Sequence, residues 1–347
     1  MNPLFKPYMP KYLPEIETIL QSGQLTYGKW GRDFERLLRK YIGVENVMTT
    51  CNFSTAIQIA LTALDLEPGN EVIASPMSCL NSTMPLCTFG LKVIWADIDP
   101  ATGTLSPQSV EEHISDKTKL IFHNHYCGYI GYVDEINHIG KKYGIPVIDD
   151  CAEAFGSKYK NNMVGNLGTD VSIFSFQTVR LPNTIDGGTV IFKDETLYEK
   201  ALLIRDQGIR RNIFRDTDGE ISKDCDISMR GFAGTMNELN SYIGCESMKV
   251  IEDLLSIQKV NAIKWQENDI QCPFLRKDIE PNFWVYGILS NNKIETLRQF
   301  KTNGQSCSGV HLPNNYYSVF GNQDLLPGVT DFYNKFLAIP CGWWNVE

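Results

Sequence analysis

The chain has 347 residues, enough for one large core or two domains, and its 43% hydrophobic and 21% charged residues are those of an ordinary globular protein. A net charge of −9 argues against a general nucleic-acid binder, and no apolar run approaches the ~18–20 residues that span a bilayer. The ten cysteines are scattered without a CxxC pair, and the opening MNPLFKPYMPKYLPEIE has no apolar leader, so the expectation is a soluble cytoplasmic protein with reduced thiols.

Residues 1–31, rich in Pro, Tyr and Gly, predict an extended arm with one short helix over 14–22. In residues 32–41, Phe34, Leu37, Leu38 and Tyr41 share one helical face, and Gly43 stops the helix. A short strand over 47–50 follows. Ser54 is then placed to cap a helix over 55–66, which ends before Pro68-Gly69. From there the pattern alternates: strand 71–74, helix 81–89, strand 93–96, an acidic DIDPATG turn and a helix over 107–114 capped by Ser106. Strand 119–122, helix 133–143 and strand 146–148 lead to the acidic pair Asp149-Asp150. Such alternation predicts an α/β fold with a mainly parallel sheet covered on both faces. Ligands in such sheets bind beyond the carboxyl ends of the strands, where Ser54, Asp150 and Ser175 all fall.

The segment IFSFQTVRLPNTIDGG, residues 173–188, completes this pattern. An apolar run over 171–174 delivers Ser175 to its end; a polar loop with Arg180 and Pro182 follows, then Asp186-Gly187-Gly188 and a second strand over 189–192. A helix over 195–206 stops at Gly208, and residues 212–231 form a long polar loop. Residues 237–255 predict one long helix into a smaller α+β unit with a strand over 284–289 and a helix over 293–302. His123 and His125 share one face only if their strand continues that far. With no acidic or Cys partner at ligand spacing, they predict no metal site.

Several stretches carry a wider resemblance in their order and spacing: LTYGKWGRDFERLLRKYIG, NFSTAIQIAL, WADIDPATGTLSP, HNHYCGYIGYVDEI, VIDDCAEAFGSKYKNNMVGNLGTDVSIFSF, IDGGTVIF and LIRDQGIRR. Over essentially its whole length the chain resembles the DegT/StrS family of pyridoxal-phosphate-dependent nucleotide-sugar aminotransferases of fold type I. The resemblance implies a large domain over 1–245, with a mainly parallel seven-stranded sheet between helices, and a small domain over 246–347. It also implies a homodimer and a nucleotide-linked keto sugar as ligand.

Residue by residue, the resemblance makes Asp150 the acid beside the cofactor's pyridine nitrogen, where a carboxylate keeps that nitrogen protonated. It makes Ser54, with Thr55 in the same loop, and Ser175 the phosphate ligands. Glu153 falls where the family usually has an amide against the cofactor ring. Ser54 could equally be an N-cap and Ser175 a turn hydroxyl. Asp150, behind an apolar strand, needs a cation or donors to offset its burial.

The chain departs from the pattern at several points. Arg180 stands at the position of the Schiff-base lysine, and a guanidinium can neither form that imine nor act as a base at neutral pH. Leu80 replaces the aromatic that stacks on the pyridine ring, and Phe53 replaces a glycine of the phosphate loop. Ala233 and Thr235 fall where the family has an asparagine and an arginine. The resemblance therefore implies a binding protein with a degenerate cofactor site. The alternatives are an enzyme that holds pyridoxal or pyridoxamine phosphate non-covalently, or uses no cofactor, and a non-catalytic partner of an active paralogue.

Overall fold

The computed structural model describes residues 1–321 and 326–345. Seven strands form the central sheet: β1 (Val47–Thr50), β2 (Glu71–Ala74), β3 (Lys92–Trp95), β4 (Thr118–Asn124), β5 (Val147–Asp150), β6 (Val171–Ser175) and β7 (Gly188–Phe192), in the spatial order β1-β7-β6-β5-β4-β2-β3. Only β7 runs antiparallel to its neighbours in this sheet. Strands such as β5, β6 and β7 are buried along their whole length, as sheets covered on both faces require. One face packs Phe34, Leu38, Val47, Phe174 and Ile191; the other packs Ile57, Ala60, Val72, Leu120 and Val190.

The alternation of strands and helices read from the sequence holds, with local corrections. The predicted helix over 237–255 is two helices, Glu238–Met248 and Ile251–Glu267, which meet at Val250 (φ −121°). Glu238 anchors the start of the first of them. Its carboxylate accepts the backbone N–H groups of Gly28, Trp30 and Gly31, fastening the first helix to the start of helix Lys29–Ile42. Beyond residue 267, β8 (Tyr286–Leu289) pairs antiparallel with β9 (Phe336–Ile339), a strand the sequence reading did not place. Trp343 and Trp344 fold back on the N-terminal arm, against Tyr8 and the Pro3 carbonyl. Among the described residues, no helix is long and apolar enough to cross a membrane.

Parallel register decides what gathers at the carboxyl edge. His123 of β4 lies beside Asp149 of β5, and Asn124 beside Asp150. Because side chains alternate along a strand, Asp149 and Asp150 point to opposite faces. One acid therefore enters a histidine cluster and the other the cleft beyond the sheet.

Candidate functional site

At the carboxyl end of β1 the chain turns into the helix Phe53–Ala63. The cap is Asn52, whose Oδ1 accepts the Thr55 N–H at 2.8 Å, and not Ser54 as the sequence suggested. Starting the helix two residues early moves Ser54 into the first turn, where its hydroxyl donates to Asn81 Oδ1 at 2.8 Å. Asn52→Ala is expected to cost about 1 kcal/mol in denaturant unfolding, and Ser54→Ala, which removes no cap, clearly less. Phe53 is buried in the core. Thr55 Oγ1 lies 3.4 Å from Cys51 Sγ. Ser175, at the end of β6, is buried, and its Oγ accepts the Gln177 N–H at 3.4 Å. Leu80 opens the helix Leu80–Thr88 and is 37% exposed.

Asp150 closes β5 and is buried, with Ala152 N–H on its Oδ1 at 3.0 Å. Burial pushes its carboxyl up to about 6, against the Ser82 hydroxyl and the Ala152 N–H, which favour the anion. With Cys79, Ser82, Asn124, His125, Ala152 and Glu153 it lines a small cavity of about 10 Å³.

Glu153 is the hub beside that cavity. Its Oε2 accepts the Cys127 N–H at 2.6 Å, and its Oε1 accepts both Arg180 Nη2 at 3.2 Å and His311 Nε2 at 3.1 Å. Burial works to raise its pKa, but the Arg180 charge and the His311 hydrogen bond outweigh it and hold the carboxyl below its usual value. The Arg180 side chain is 4% exposed and stacks on Trp284, its Cζ 4.2 Å from the ring centroid. Trp284 is itself held in place: its Nε1–H donates to the Val179 carbonyl and its ring stacks on Phe5. Arg180 Nε and Nη1 are buried without a hydrogen-bond partner among the described residues.

His123, His125 and Asp149 form a second buried cluster, their donor atoms within 4.8 Å of one another. The acidic partner that the sequence reading found missing is thus supplied by the neighbouring strand. Hydrogen bonds account for His123 Nδ1 and His125 Nδ1, while His123 Nε2 and His125 Nε2 are buried without a hydrogen-bond partner among the described residues. Gly131 N–H donates to His125 Nδ1 at 3.3 Å, which leaves the ring's proton on Nε2, facing Asp149. His123 Nδ1 lies 2.9 Å from Asp149 Oδ1, and Thr169 Oγ1 donates to Oδ2 at 2.7 Å. A ligand lone pair at His125 Nε2 would need the opposite tautomer.

The sequence reading set Ser54, Asp150 and Ser175 at the carboxyl ends of strands; Ser54 lies in the helix that follows β1, and Asp150 and Ser175 are the last residues of β5 and β6. It missed His311, Trp284, Cys127 and Ser82. His311 sits in GVHLPN, a segment with no periodicity to announce it.

Residues 10–325 match the DegT/DnrJ/EryC1/StrS aminotransferase family. The chain belongs to that family. It is 28% identical to GDP-perosamine synthase of Escherichia coli O157:H7, over 83% of this chain and 79% of that one. The sugar aminotransferase CalS13 from Micromonospora echinospora superposes with a TM-score of 0.93 at 26% identity, covering 100% of this chain and 96% of its own. The fold is shared also with the Streptococcus pneumoniae protein Spr1654 in its PMP form, a putative sugar aminotransferase (TM-score 0.89, 19% identity, 99% and 93% covered).

Family members work with pyridoxal or pyridoxamine phosphate, and the residues at this DegT/StrS-type site do not fit a covalently held one. No lysine lines the cavity at Asp150 among the described residues, and the cation packed nearest to Glu153 is an arginine. The Ser54 hydroxyl, a phosphate ligand by the resemblance, donates to Asn81 instead.

Proposed function

We propose that this chain is a sugar-aminotransferase homologue with a degenerate cofactor site, which binds a nucleotide-linked keto sugar and does not form an internal aldimine. The observation that carries this reading is Arg180: buried, stacked on Trp284 and paired with Glu153, at the place the resemblance gives to the Schiff-base lysine. A guanidinium stays protonated at any physiological pH and is no amine nucleophile. Phe53, buried at the head of the helix that would present a phosphate loop, and the half-exposed Leu80 support the same conclusion. The sugar class comes from the relatives, one named for a GDP-linked product and one as a sugar aminotransferase.

A second reading, pyridoxamine phosphate held without a covalent bond, is favoured by Asp150. A carboxyl pushed up to about 6 by burial is a group that a pyridinium would pair with. We infer further that residues 1–245 and 246–347 are two domains, and that the chain works as a homodimer. Exposed Ile213, Ile221 and Ile227, in the polar loop, are apolar side chains a second copy would cover.

The test is the visible spectrum of the purified protein, followed by calorimetric titration with pyridoxal phosphate, pyridoxamine phosphate and a nucleoside-diphosphate keto sugar. The expected result is no aldimine band and saturable binding of the sugar. A band on adding pyridoxal phosphate would overturn the reading, and binding of pyridoxamine phosphate alone would select the second.

A further inference from the structure

Glu153, which the resemblance sets against the cofactor ring, is paired here with His311, to which the resemblance gives no role. Glu153 is held as the carboxylate, which can only accept, so the ring proton between Glu153 Oε1 and His311 Nε2 belongs to the histidine. In the neutral ring the lone pair is then on Nδ1. That is the state of a histidine poised as a base, its tautomer set by a buried acid. The ring is 16% exposed and not sealed in the core.

The backbone around His311 is held at some cost. Val310 sits at φ +63°, an outlier for a β-branched residue, and such strain persists only where the surroundings enforce it. Tyr126 helps enforce it: its hydroxyl donates to the Gly309 carbonyl at 3.2 Å, and its ring meets the imidazole edge to face at 5.9 Å. Asp150 lines the same cavity as Glu153, and the two carboxyls are pushed in opposite directions, the arrangement that separates an acid from a base.

We propose that His311, oriented by Glu153, is the proton-transfer group of this site and removes a proton from the carbon next to the carbonyl of the bound keto sugar, with no cofactor. This rests on the sugar-binding reading given above. In the step, the C–H bond breaks, the proton passes to His311 Nδ1 and the electron pair moves into the carbonyl to leave an enolate. Return of a proton to the same carbon restores or inverts it, and return elsewhere isomerises the sugar. Nothing is oxidised or reduced overall. His311 is the catalytic residue and Glu153 a positioning residue.

The experiment follows solvent-deuterium exchange at the carbons flanking the carbonyl of dTDP-4-keto-6-deoxyglucose by proton NMR, with affinity measured in parallel by calorimetry. Full-length protein is expected to exchange these positions well above the protein-free rate. His311→Gln is expected to lower that rate ~100-fold with affinity unchanged. Imidazole added to His311→Gly should restore part of it, which a merely structural role would not allow. Glu153→Gln should lower the saturating rate ~10-fold and leave half-saturation where it was. Binding without exchange above the protein-free rate, or undiminished exchange in His311→Gln, would overturn the proposal alone. Failure of the sugar to bind would overturn the reading beneath it as well.

Discussion

Replacing Arg180 by methionine is expected to lower the free energy of unfolding by about 3–5 kcal/mol, the cost of stranding one member of a buried ion pair. The guanidinium is the partner that keeps Glu153 ionised, and its removal leaves a buried carboxylate with only Cys127 N–H and His311 for company. The stack on Trp284 goes with it. Guanidinium unfolding of Arg180→Met, Glu153→Gln and the double variant separates these contributions. The double variant is expected to recover ~2 kcal/mol relative to the sum of the singles, because neither half is then left charged and alone. A loss under ~1 kcal/mol in Arg180→Met would show that the Arg180–Glu153 pair does not anchor the site. For the same reason, Arg180→Lys alone is not expected to gain an aldimine band with pyridoxal phosphate. Its ammonium would face the Glu153 carboxylate, which favours the charged, non-nucleophilic form.

The second large effect has the opposite sign. Asp150→Asn is expected to stabilise the protein at neutral pH. With the native carboxyl at about 6 against an ordinary 3.8, the gap is worth about 3 kcal/mol at ~1.4 kcal/mol per pH unit. A raised acid holds its proton more tightly when folded. Its contribution to stability is therefore fully present below about 3.8 and is lost as pH rises through about 6. The variant carries no such loss. It should exceed the wild type by about 3 kcal/mol above pH ~6.5 and match it below pH ~4. Glu153, held below its usual value, works the other way, adding stability at neutral pH that disappears on acidification. The comparison between variant and wild type cancels that term. A pH-independent difference between the two unfolding curves would show that Asp150 is not charged at a cost. A stability gain from deleting one buried acid is the mark of a residue kept for a ligand.

Much of the site could be read from local pattern. Apolar runs ending in Ser175 and Asp150, alternating with helices, place both residues at one edge of a parallel sheet without any knowledge of packing. The Ser54 assignment failed for an equally local reason. Two capping residues, Asn52 and Ser54, stand two positions apart, and the choice between them depends on the turn by which β1 enters the helix. The missing acidic partner of His123 and His125 failed for a different one. Asp149 is far away in sequence and adjacent only because β4 and β5 are parallel neighbours in register.

The sequence by itself determined the strand–helix alternation, the carboxyl-edge address of the site and the chemistry open to residue 180, since these follow from side-chain type and short-range periodicity. Tertiary structure alone decided what Arg180 does there. Its pairing with Glu153 spans 27 positions, and the Glu153–His311 contact spans 158. Contacts at such separations leave no periodic trace, because they are set by how the sheet edge and the C-terminal segment pack and not by any neighbour in the chain.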